Sequence, residues 1–159
     1  MREIRIARSR LARQGIMAGV MRQVFHASVL VAGSGQGLAL VLPQRLSLWG
    51  GLDPDTGEII DRRHPASGEN VRDRVLVLPA GRGSSSASSI LLEAVRQGTA
   101  PAAIITAEPD AILALGAAVA REMYKKAPPI VVLDTADYAQ LQNDQLITVD
   151  KKGLITVES

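Results

Sequence analysis

Between residues 74 and 133, three apolar runs alternate with two segments of helical pattern. The runs are Val75-Leu76-Val77-Leu78, Ala102-Ala103-Ile104-Ile105 and Ile130-Val131-Val132-Leu133. None of them alternates polar with apolar residues, so each strand needs cover on both faces, as strands of a parallel sheet do. A first helix is predicted near 87–97, closed by Gly98 at the position where helices favour glycine. A second is predicted near 109–124, with Pro109 suited to its first turn. Ile112, Leu115, Val119 and Met123 recur at three- and four-residue steps, which predicts its core face. A β-α-β-α-β run of this kind makes an α/β fold in which helices cover a parallel sheet segment.

The flanks read as β structure. His26 to Ala32 is predicted as one strand and Leu38 to Leu42 as a second, with Gly33-Ser34-Gly35-Gln36-Gly37 as the hairpin turn between them. The glycines do not make a dinucleotide loop, because a strand follows them and that motif needs a helix. Leu146–Val149 and Leu154–Val157 flank the polar turn Asp150-Lys151-Lys152-Gly153. The early and late strands are expected to form a β-sandwich or barrel-like layer against the α/β core. The long segment 46–57 is expected to be irregular, with Asp53 and Asp55 as turn-formers and Trp49 as its structural anchor, and Glu58-Ile59-Ile60-Asp61 as a short extended piece ending in Arg62-Arg63-His64-Pro65.

The 159 residues suit one globular domain, placed at 25–159 behind a basic N-terminal extension, 1–24. Hydrophobic residues make up 47% and aromatics only 3%, so the core must be aliphatic. Residues 1–24 hold six arginines and one glutamate, while the rest is mildly acidic, with 12 basic and 15 acidic residues. A solvated or subunit-contacting arm is expected. No aromatic or repeated basic motif accompanies the arginines, which argues against nucleic acid. No apolar stretch approaches the roughly 20 residues that span a bilayer, and no signal-peptide pattern is evident. Cysteine is absent, which removes thiolate catalysis and any cysteine-held metal or iron–sulfur centre from this chain and fits a cytoplasmic setting. Two histidines, His26 and His64, make a zinc site improbable.

Chemistry concentrates in Gly81-Arg82-Gly83-Ser84-Ser85-Ser86, which joins the first apolar run to the first helix. Such a turn aims backbone N–H groups and the positive end of a helix dipole at its occupant. Arg82 adds a planar cation suited to a carboxylate or phosphate, and the serines add hydroxyls. Serines at a helix start also serve as plain caps. The spacing is neither a Walker loop nor a nucleophile elbow. A triad of Ser84, His64 and Asp61 can be drawn on paper, with nothing in the sequence to bring it together. His64, before Pro65, is either an acid–base or substrate-donor group or a histidine without a task.

Several motifs together resemble the small, swivelling subunit of the aconitase X family. They are Ser47-Leu48-Trp49-Gly50-Gly51-Leu52-Asp53-Pro54-Asp55-Thr56-Gly57, Asp61-Arg62-Arg63-His64-Pro65, the run from Arg74 through Ser86, and Gly98-Thr99-Ala100-Pro101-Ala102-Ala103-Ile104-Ile105. The resemblance covers roughly 26–157 in order. It implies a swivelling β/β/α domain that closes over the active site of a large, aconitase-like partner subunit. The partner's own cysteines would hold an iron–sulfur cluster. Activities in the family include dehydration of cis-3-hydroxy-L-proline and of mevalonate 5-phosphate.

By similarity to ordinary aconitase, Ser84 would be the catalytic base. Arg82 and Ser85 would hold the substrate carboxylate, with Gly81, Gly83 and His64 also in the binding site. A serine base needs its pKa lowered strongly, and helix-start N–H groups and Arg82 act in that direction. The motifs favour the hydroxyproline substrate over the mevalonate phosphate. Neither a nucleic acid nor a membrane partner is expected. A non-catalytic anion-binding module and a stand-alone serine hydrolase are the competing readings.

Overall fold

The computed structural model describes residues 21–81 and 85–159. Eight strands form one mixed sheet in the order β1-β8-β7-β3-β4-β5-β6-β2. The strands are β1 (Arg22–His26), β2 (Ser28–Val31), β3 (Gly35–Val41), β4 (Val75–Leu78), β5 (Ala103–Thr106), β6 (Ile130–Val132), β7 (Leu146–Val149) and β8 (Leu154–Glu158). Helices α1 (Ser86–Gln97), α2 (Ala111–Tyr124) and the short α3 (Thr135–Tyr138) follow β4, β5 and β6. Strands β3, β4, β5 and β6 run parallel, as the apolar runs require. The remaining pairings are antiparallel.

The sheet folds over itself at β3. Gly35–Leu38 pair with β7, and Ala39–Val41 pair with β4. Successive side chains of a strand point to opposite faces, so each parallel strand feeds two cores. Val75 and Val77 meet Phe25, Ile147, Val149, Ile155 and Val157 of the antiparallel layer. Leu76 and Leu78 meet Leu91 of α1 and Leu113 and Ala117 of α2. The result is three layers, β on β on α, as the sequence implies.

Four details differ from the sequence expectation. The run His26–Ala32 is not one strand: it breaks at Ala27, with β1 pairing to β8 and β2 to β6. Gly33–Gly37 is not a hairpin turn, since β2 and β3 pair with different partners and Gly35 and Gly37 lie within β3. These glycines mark close approach: a Cβ at Gly35 would collide with the Ala102 carbonyl, and one at Gly37 with the Asp73 carbonyl. Helix α2 begins at Ala111 with Asp110 as its cap, leaving Pro109 outside the first turn. Its buried residues are Leu113, Gly116, Ala117 and Ala120, while Leu115, Val119 and Met123 are exposed. Helix α1 sets this choice, because a Cβ at Gly116 would sit 2.8 Å from the Ser88 carbonyl oxygen, and only small residues fit there.

The segment 42–74 is irregular but anchored. Leu46, Leu48, Leu52, Ile59, Ala66 and Val71 are buried in the helix-side core. Trp49 is not the anchor: it is 60% exposed. Asp53 does form a turn, its Oδ1 accepting the Asp55 N–H at 2.9 Å. Thr99 donates its hydroxyl to the Pro54 carbonyl at 2.6 Å, tying the segment to the end of α1.

Candidate functional site

The C-terminal edge of the parallel strands gathers two helix starts, the usual ligand position of an open α/β sheet. After β4 the chain reaches Gly81, which forms an isolated parallel bridge with Leu46. Helix α1 then begins with Ser85 as its N-cap residue in helical conformation, making no side-chain cap hydrogen bond. Instead its carbonyl accepts the Ser88 N–H at 3.1 Å and the Ser88 hydroxyl at 2.6 Å. The plain-cap account of this serine therefore does not apply. Arg82, Gly83 and Ser84 lie outside the described residues, as do residues 1–20 of the basic arm.

Asp110 is the residue the sequence reading passed over. Its Oδ1 accepts the Ile112 and Leu113 N–H groups at 3.1 and 3.0 Å, capping α2. Its Oδ2 accepts the Gly81 N–H at 2.7 Å. One carboxylate thus joins the start of the glycine–serine turn to the neighbouring helix. A Cβ at Gly81 would press on that carboxylate, so a larger residue there must displace the Asp110 side chain. Pro109-Asp110 ahead of a helical pattern was the available signal for the cap; the bond to Gly81, 29 residues away, had none.

A cavity of about 300 Å³ opens here, lined among others by Leu46, Leu48, Gly81, Asp110 and Ile112. Arg45 and Glu108 pair across its rim at 2.6 Å, both well exposed, so the pair adds little stability. Arg45 also borders a second cavity of about 600 Å³, which contains Trp49, Arg62, Arg63 and His64. Among the described residues Arg62 and Arg63 are not in any ion pair.

His64 is 94% buried, and both ring nitrogens face backbone. Nδ1 accepts the Ala66 N–H at 3.0 Å, which leaves the proton on Nε2, 3.3 Å from the Gln44 carbonyl. That geometry makes His64 a pin between two loops. The Asp61 carboxylate accepts the Arg63 N–H at 3.0 Å, so the paper triad does not form its His–Asp contact. Gly81 lines the first cavity, Ser85 sits at the start of α1, and His64 borders the adjoining cavity. Among the described residues no group of three or more His, Asp or Glu is placed to hold a metal, and no helix is long and apolar enough to cross a membrane.

Three layers, a sheet folded at a shared strand and a site where two helix starts meet define a swivelling β/β/α domain of the aconitase type. The chain belongs to the aconitase X swivel domain family, whose profile matches residues 24–157. It is 54% identical over 104 residues to the cis-3-hydroxy-L-proline dehydratase of Pseudomonas aeruginosa, covering 65% of this chain. The chain spans only 18% of that enzyme's length. It is 39% identical over 130 residues to the phosphomevalonate dehydratase small subunit of Thermococcus sibiricus, covering 81% of this chain and 94% of that subunit. The crystal structure of Thermococcus kodakaraensis aconitase X superposes with a TM-score of 0.76 at 29% identity, covering 85% of this chain and 98% of that one.

Proposed function

We propose that this chain is the small subunit of an aconitase-X-type hydro-lyase that removes water from a small hydroxy acid, cis-3-hydroxy-L-proline. The observation that carries the reading is the place of the glycine–serine turn. In sequence it joins β4 to α1 of an aconitase X swivel domain, and its first residue, Gly81, is bonded to Asp110 at the start of α2. The 54% identity to a hydroxyproline dehydratase supports the substrate.

In this reading Ser84 Oγ takes the proton from carbon, and its negative charge is stabilised by N–H groups at the start of α1 and by Arg82. The substrate carboxylate lies against Arg82 and the Ser85 hydroxyl, with Gly81 and Gly83 allowing the backbone to come close. Asp110 holds the turn in register, and His64 shapes the adjoining loop. An iron–sulfur cluster does not fit this chain, which has no cysteine and no cluster of alternative ligands among its described residues. In this reading the large partner subunit would hold the cluster, which would supply the Lewis acid for loss of the hydroxyl.

The second reading is mevalonate 5-phosphate as substrate. It is favoured by the near-complete match to a separate small subunit and by Arg62 and Arg63 in the neighbouring cavity, two cations suited to a phosphate. The test is to purify the chain with its large partner and assay both substrates. Ser84→Ala is expected to lower turnover by about 10²–10⁴-fold, the usual share of a general base. Wild-type turnover in that variant removes the serine role. Consumption of mevalonate 5-phosphate alone replaces the substrate. Activity in neither assay, with tight anion binding by the chain alone, returns the chain to a binding module.

A further inference from the structure

Helix α2 is apolar on both of its sides. Its inner side packs on α1, β2 and β6. Its outer side carries Ala111, Leu115, Ala118, Val119 and Met123, all exposed, at steps of four, three, one and four residues. Leu115 and Met123 are 57% and 58% exposed. Glu122 is the only charged residue among the exposed positions of the helix. A solvated helix face normally carries charged side chains, and a helix apolar all round is normally buried. Single exposed leucines need no explanation, but a contiguous stripe along three turns marks a contact surface.

We infer that this stripe is the seat on which the large partner subunit docks, an inference that rests on the two-subunit reading above. The stripe starts at the site itself, since Ala111 and Ile112 line the same cavity as Gly81 and Asp110. Any body that closes over that cavity rests on the first turn of α2 and meets the rest of the stripe as a direct continuation. The Pseudomonas enzyme, of which this chain spans 18%, holds the matching stretch within a polypeptide several times longer. The helix ends in exposed Lys125 and Lys126, so the matching surface is an apolar strip with acidic groups at one end.

The test is the double variant Leu115→Glu, Met123→Glu in the full chain, with Leu115→Ser as a milder second variant. Thermal melting of each isolated chain checks that it folds, as expected for exposed positions. Titration calorimetry against the purified large subunit is expected to show affinity reduced about a hundredfold in the double variant. Turnover should return towards wild type when the large subunit is in large excess. Unchanged affinity in a folded double variant overturns the inference and leaves the dehydratase reading intact. Loss of self-association without loss of partner affinity overturns it in favour of a second copy of this chain. Failure of the wild-type chain to bind the large subunit removes both readings together.

Discussion

Replacing Asp110 isolates two tasks held by one side chain. Its Oδ1 caps α2 with two N–H bonds, and its Oδ2 takes the Gly81 N–H at 2.7 Å. Loss of an N-cap costs about 1 kcal/mol. A hydrogen bond to a charged group contributes about 1.5–3 kcal/mol, and the low end applies because Gly81 is only partly buried and water can replace the carboxylate. Asp110→Ala should therefore cost about 2.5 kcal/mol, or roughly 5–10 °C in Tm for a chain of this size. Serine is as good a cap but too short to reach Gly81, so Asp110→Ser should cost only about 1.5 kcal/mol. Urea unfolding of the three chains measures both values. In the two-subunit complex, Asp110→Ser should still lower turnover by about a hundredfold, because displacing a reacting group by an ångström has that effect. Equal losses in the serine and alanine variants would refute the division of labour. A loss below about 0.5 kcal/mol for alanine, within the range of an ordinary surface change, would refute the linkage altogether.

Gly35→Ala forces a methyl group into the Ala102 carbonyl, a backbone atom that cannot swing aside, and should destabilise the fold by at least about 2 kcal/mol in urea unfolding. Trp49→Ala should change stability by less than about 0.5 kcal/mol, and the indole should be freely quenched by iodide, because it lies outside the core. Tyr138 has a buried hydroxyl without a partner among the described residues, and burial pushes its pKa up to about 12. An unfolded tyrosine ionises near 10, so the stability due to this group is complete below that pH and is lost as pH rises towards 12. Tyr138→Phe should remove that fall in the stability-versus-pH curve and add about 1 kcal/mol at neutral pH.

The parallel strands were legible because burial on both faces leaves an unmistakable composition: Val75–Leu78 and Ile130–Leu133 contain nothing polar. The caps and turns at Gly98 and Gly153 were legible because their positive φ values of 78° and 85° suit glycine. What failed was any feature set by a distant neighbour. Gly35 and Gly37 looked like a turn because their real reason, the backbones at Ala102 and Asp73, is remote in sequence. The outer stripe of α2 was mistaken for its core face because large apolar residues dominate a periodicity count. The core instead takes Gly116, Ala117 and Ala120, the residues small enough for α1 to approach. At the site, the turn was visible as composition, while the Asp110 bond that holds it spans two βα connections. His64 was visible as chemistry, but only the folded loops show that backbone occupies both of its nitrogens.

The β1–β8 pairing brings the two ends of the described fold side by side. Met21 and Ser159 exchange backbone hydrogen bonds at 3.1 and 3.0 Å. The chain therefore enters and leaves the domain through one doorway. A second polypeptide can be joined to either end at nearly the same point in space, without threading past the sheet. A linker of a few residues could close the ends on each other, and the ring could be reopened at Lys151-Lys152 with every strand still able to find its neighbour. One architecture can thus serve as a detachable part or as a fused module, according to which bond the gene chooses to make.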